Sequence, residues 1–134
     1  MKKYDVRTAN GIIKVTEEDI EDIMCTALEG GIGYWACLDN TEKEFVDAPK
    51  YEPYSETCAK IILRGGEIRL ICEEDNESYY LNLNKFLTGI QLWIDGGYDI
   101  YGAVDGDELD CGSIDSECAD CIIQLALFDD IVYG

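Results

Sequence analysis

Apolar and polar positions along the chain alternate between a loose two-residue rhythm and a helical one, and the changes of rhythm mark out the elements. From Tyr4 to Val15 the two kinds of residue mix around Asn10-Gly11, a dipeptide suited to tight hairpin turns, which predicts two short antiparallel strands. Ile20, Ile23, Met24 and Ala27 then recur at helical spacing and predict a helix from about Glu17 to Leu28. Thr16 is placed to cap it, Asp19 completes a capping-box pattern, and Gly30-Gly31 supplies a stop. Ile32 to Leu38 has no helical spacing and reads as a buried strand or a short irregular piece. Residues 39–57 hold both prolines among charges and tyrosines, the composition of a surface connection or an ordered binding loop.

Ala59 to Leu63 and Ile68 to Cys72 flank Arg64-Gly65-Gly66-Glu67, predicting a second hairpin, with a further strand at Ser78 to Leu81. Asn82 can cap a helix from Leu83 to Asp95, whose Phe86, Leu87, Ile90, Trp93 and Ile94 share a face. Tyr98 to Val104 is expected as a short strand, followed by an acidic loop through Gly112. Asp115 can cap a last helix from Ser116 to Phe128 with Ala119, Ile122, Ile123, Ala126 and Leu127 inward. Hairpins and separated helices in this order predict an α+β fold. The expectation is a single domain over 1–134, with an antiparallel sheet of hairpins and about three α-helices packed on it.

Charge sharpens the picture. The chain carries 29 acidic and 10 basic side chains, no histidine and a formal charge of −19. Lys85 is the last basic residue, so no acid from Phe86 onward has a cation nearby in sequence. Direct nucleic-acid binding is excluded on this count, because affinity for phosphates comes mostly from Lys and Arg. No apolar run approaches the roughly 20 residues of a membrane helix. The opening MKKYDVRTANG lacks an apolar core of signal type, so the expected location is a reducing cytoplasm, with no membrane association.

Candidate chemistry is thin. Cys118 and Cys121 share a helix face and, with Cys111, suggest thiolate metal ligands, but a fourth ligand must come from Cys25, Cys37, Cys58 or Cys72 and no second C-x-x-C exists. Small buried thiols are the ordinary alternative. Asp105 to Asp110 is rich in carboxylates, yet from Asp105 the EF-hand positions fall on Leu109, Asp110 and Ser116, which do not fit. With no histidine there is no triad-type base. The expectation is a protein that is not an enzyme and has no cofactor or metal.

What remains is the acidic surface. Glu17 with Glu21, and Glu18 with Asp22, stack like charges along the first helix, with Glu29 beyond them. Asp99, Asp105, Asp107, Glu108, Asp110 and Glu117 follow in the cation-free part. An ordered array of this kind imitates phosphate charge and fits the basic groove of a DNA- or RNA-handling protein. Ordinary solubility is the plain alternative. Nine tyrosines also offer an interaction surface for a non-enzymatic assembly module or a homo-oligomer.

Two stretches carry a resemblance: Glu18-Asp19-Ile20-Glu21-Asp22-Ile23-Met24 through Gly33-Tyr34-Trp35, and Gly102-Ala103-Val104-Asp105-Gly106-Asp107 through Ala119-Asp120-Cys121-Ile122-Ile123-Gln124 to Val132-Tyr133-Gly134. Together they resemble an uncharacterised family of small acidic proteins of bacteriophages and mobile elements of Gram-positive bacteria. The resemblance implies a genetic setting in which such proteins often inhibit host defence, as anti-CRISPR or anti-restriction proteins acting as DNA mimics. It implies no catalytic residue.

Overall fold

The computed structural model of the chain describes residues 2–134. β1 (Lys3–Thr8) and β2 (Gly11–Thr16) pair antiparallel with Thr8 opposite Gly11, so the turn is Ala9-Asn10 and Gly11, at φ +127°, opens β2 one residue earlier than an Asn10-Gly11 turn would place it. This register puts Val6, Ile13 and Val15 on the buried face. α1 (Glu17–Thr26) begins in a full capping box: the Thr16 hydroxyl accepts from the Asp19 amide at 3.0 Å, and the Asp19 carboxylate accepts from the Thr16 amide at 2.9 Å. Ile20, Ile23 and Met24 form its buried stripe.

The helix stops two residues before the expected end and widens into a π turn, Ala27–Gly31, closed by the Ile32 amide donating to the Ala27 carbonyl. Gly31 is needed there because of proximity rather than dihedral freedom. A Cβ on it would lie 2.8 Å from the Ser116 carbonyl oxygen. Of the stretch from Ile32 to Leu38, only β3 (Ala36–Leu38) is strand.

Residues 39–57 are exposed over most of their length, as expected, but also carry α2 (Lys43–Asp47) and the start of α3 (Tyr54–Leu63). α3 corrects the second expected hairpin, since Ala59 to Leu63 is helix. Cys58, Ile61 and Ile62 at i, i+3 and i+4 bury one face of it. The two glycines after it form a helix stop instead of a hairpin turn. Gly65, at φ +91°, follows the cap, and the Gly66 amide returns to the Ile61 carbonyl at 2.9 Å.

β4 (Ile68–Cys72) lies between β3 and β5 (Ser78–Leu81), antiparallel to both. α4 (Leu83–Asp95), capped by Asn82, and α5 (Ser116–Phe128), capped by Asp115, begin where the sequence predicts. Between them the expected strand from Tyr98 to Val104 is absent. The Asp99 carboxylate accepts from the amides of Ala103 and Val104 at 2.7 and 3.1 Å, taking backbone donors that a strand would use for pairing. Only β6 (Val104–Asp105) and β7 (Glu108–Leu109) remain, as a small hairpin, before a 3-10 turn at Cys111–Ser113.

The result is a single compact α+β domain, with five α-helices among the described residues where about three were expected, and its strands form separate antiparallel sheets rather than one. α4 and α5 pack face to face, α1 lies on α3, and β1 lies on α4. Phe86, Ile90, Trp93, Ile122 and Ile123 are fully buried at the centre. No helix among the described residues is long and apolar enough to cross a membrane.

Candidate acidic surface and the Asp120 pocket

The capping box fixes the rotation of α1 and so decides which acids are left without partners. Glu17 and Glu21 line a cleft with Lys60, Arg64 and Tyr51. There the Lys60 ammonium donates to Glu21 at 3.2 Å and lies over the Tyr51 ring. Of all the acids expected at the contact surface, Glu21 alone enters an ion pair among the described residues. Glu18 and Asp22 are exposed and make no such pair.

Beside them packs the 3-10 turn. The Cys111 thiol donates to the Asp19 carboxylate at 3.4 Å, and is pushed up by burial and by the charges of Asp19, Asp22 and Asp110. Asp110 is thereby brought close to the first helix, although its own carboxylate accepts from the Gly112 amide and the Ser113 hydroxyl. The β6–β7 hairpin extends the same surface. Asp105 faces Glu108 across it, an unfavourable like-charge pair, and the Asp107 carbonyl accepts from the Lys14 amide of β2, just before α1. Asp19, Asp22 and Asp110 thus gather around the Cys111 thiol with Glu18 beside Asp22, and Asp105, Asp107 and Glu108 stand on the hairpin that flanks β2, an acidic ridge in two parts.

The other expected site residues lie elsewhere. Glu29 sits on the π turn and accepts from the Ser55 hydroxyl at 2.9 Å, and the Asp99 carboxylate is committed to its own turn. Glu117 stands exposed in the first turn of α5, apart from the ridge.

The field on the ridge has a measurable consequence. Asp22 titrates above its ordinary value of 3.8 because of partial burial first, and then Glu18, Asp19 and Glu21. A carboxyl whose folded pKa is raised costs stability when ionised, and the cost disappears once both folded and unfolded forms are protonated. Asp22→Asn is therefore expected to raise the thermal midpoint at pH 7. The gain should shrink as the pH falls toward 3.8 and should be larger at low salt. Scans of both proteins between pH 3.5 and 7 check this sign.

The seven cysteines are all free thiols. Among the described residues no three His, Cys, Asp or Glu side chains are grouped to hold a metal ion. Burial pushes Cys118 up to about 12 and also raises Cys121, which disfavours the thiolates a metal requires.

A second polar centre was not anticipated. Asp120, 7% exposed, has no cation in its hydrogen-bond shell. Its Oδ1 accepts from the Trp35 indole at 2.8 Å and the Gln124 amide at 2.9 Å, and its Oδ2 accepts from the Tyr34 hydroxyl at 2.6 Å. Gln124, fully buried, accepts in turn from the amides of Val132 and Tyr133, both at 2.8 Å, and so fastens the C-terminal tail. Tyr133 stacks on Trp35 with ring centroids 5.0 Å apart. Burial and the neighbouring Asp120 push the Tyr34 phenol up to about 12.

A groove of about 630 Å³ opens beside this network, between the π turn, the start of α5 and the tail. Another of about 680 Å³ lies beside α2, where Lys43 pairs with Asp47 and Glu44 accepts from the Glu67 amide. The sequence did contain a signal for the Asp120 centre. Asp120 and Gln124 are polar residues one turn apart on a largely apolar helix, but the glycine that meets Asp120, Gly31, is brought there only by the fold.

No protein-family model matches the chain, and neither the curated proteins nor the solved structures contain a match.

Proposed function

We propose that the protein acts by binding rather than catalysis. The acidic ridge docks on the cationic nucleic-acid site of a partner protein and covers it, as an inhibitor of a host nuclease of restriction or CRISPR type would. The observation that supports this reading is the gathering of Glu18, Asp19, Asp22 and Asp110 around the Cys111 turn. Carboxylates from α1 and the 3-10 turn are held close together and the β6–β7 hairpin adds Asp105 opposite Glu108, none of them in an ion pair among the described residues, while Lys60 serves Glu21. A fold that keeps like charges together against their mutual repulsion presents a fixed negative potential, which speeds and orients encounter with a basic surface.

Glu18, Asp22, Asp105 and Glu108 make no side-chain ion pair, so changing them to the matching amides leaves the fold's own bonds in place. Immobilised protein is expected to capture a nucleic-acid-binding protein from host lysate at about 0.05 M salt and release it by about 0.3 M, as screening shortens the reach of the charges. The captured protein should lose its hold on DNA or RNA. The four-amide variant should bind it at least about thirtyfold more weakly, and undiminished capture by that variant would overturn the reading.

Self-association is a second reading, favoured by the turn after α4, where Ile100 is 69% and Tyr101 57% exposed. It requires a solution mass above 15.0 kDa that salt does not change.

A further inference from the structure

Resting on that reading of a basic partner, we infer that the groove between the π turn and α5 receives an arginine side chain of the partner. Its lining supplies two carboxylates, Glu117 at the rim and Asp120 at the base, two tyrosine rings and no lysine or arginine. Asp120 lines the groove and accepts three hydrogen bonds, two of them on Oδ1, which leaves acceptor capacity on Oδ2. Tyr34, 56% exposed, and Tyr133, held flat against Trp35, give the walls π faces.

A guanidinium suits such a lining better than an ammonium does. It is planar, stacks on aromatic rings, is weakly hydrated, and donates in a fork that two carboxylates can share. The aromatic network under the groove keeps its walls in place before anything binds, because Trp35 and Gln124 are tied to the Asp120 carboxylate and the tail is tied in turn to Gln124. The pocket lies apart from the ridge. The ridge would draw a basic surface in, and the pocket would fix its register by one anchored side chain.

The test uses the full chain and N-acetyl-arginine amide as probe, with the neutral citrulline analogue as control. The readout is the Trp35 indole N–H resonance, which reports on the Asp120 contact. The arginine probe should shift it saturably, with a dissociation constant of about 1 mM, and citrulline should bind about tenfold more weakly. Glu117→Gln should weaken arginine binding at least about threefold by removing one charge from the rim. Gly30→Leu should block the groove with all charges retained, since the nearest heavy atom to a Cβ there is 4.0 Å away.

Absence of a saturable shift, equal response to citrulline, or unchanged binding in Glu117→Gln overturns the proposal. Neither substitution touches the ridge, so the two readings fail separately. Salt-sensitive partner capture without arginine binding overturns the pocket alone, and arginine binding without such capture overturns the ridge alone.

Discussion

Replacing Gln124 by leucine is expected to cost about 3–4 kcal/mol, near the top of what a single buried substitution does. The size follows from what the amide holds. Its oxygen accepts the Val132 and Tyr133 amides at 2.8 Å each, and its nitrogen donates to Asp120 at 2.9 Å and to the Tyr133 carbonyl at 3.1 Å. Leucine keeps the volume but strands tail amides and takes one of three donors from a carboxylate that is only 7% exposed. Orphaned groups of this kind cost about 1–3 kcal/mol each when they stay buried, and less where the tail detaches and finds water.

Detachment is the expected relief. Tyr133 should leave the Trp35 ring, so that tryptophan emission shifts to the red while the midpoint falls by roughly 10 °C or more. Gln124→Glu is a sharper probe because it preserves both acceptors for the tail amides. It loses the donors and sets a second carboxylate against Asp120, so it should be worst at neutral pH and recover on acidification. A Gln124→Leu protein within about 1 kcal/mol of wild type, with unaltered emission, would show that the network does not hold the tail.

The elements legible in the sequence are those whose limits are written in local chemistry. Thr16, Asn82 and Asp115 cap the helices they were expected to cap, and the first hairpin turns next to Asn10-Gly11, at Ala9-Asn10, because each of these interactions closes within a few residues. α3 was misread because Arg64-Gly65-Gly66-Glu67 satisfies a hairpin turn and a helix stop equally well, and only the burial of Cys58, Ile61 and Ile62 together separates them. The strand expected over Tyr98 to Val104 failed on one side chain, Asp99, competing for backbone donors.

The acidic surface was half legible. Its total charge is a property of composition, but which acids are neutralised depends on Lys60, far along the chain, reaching Glu21 and not Asp22. Asp120 illustrates the same limit from the other side. Among so many surface carboxylates, its burial is set by Trp35 and Tyr34 arriving from the π turn, a contact that no local pattern encodes.

Gly89→Ala is expected to destabilise the protein by about 2 kcal/mol or more, the reverse of what the substitution does in an ordinary helix. In an exposed helix interior, alanine is favoured over glycine by about 1 kcal/mol, because it restricts the unfolded chain and shields the backbone. Gly89 lies where α4 crosses α5, and a Cβ on it would sit 2.5 Å from the Ile122 carbonyl oxygen and 2.8 Å from the Ala126 methyl carbon. Neither neighbour is the free end of a flexible side chain, so the helices must separate or shift along each other. That movement would disturb the layer of Phe86, Ile90, Trp93, Ile122 and Ile123, all fully buried. Adding Ala126→Gly removes the methyl contact and leaves the carbonyl in place, so the double variant should recover only part of the loss. A Gly89→Ala protein as stable as wild type, measured by denaturant unfolding, would mean that the α4–α5 crossing is looser than these distances require.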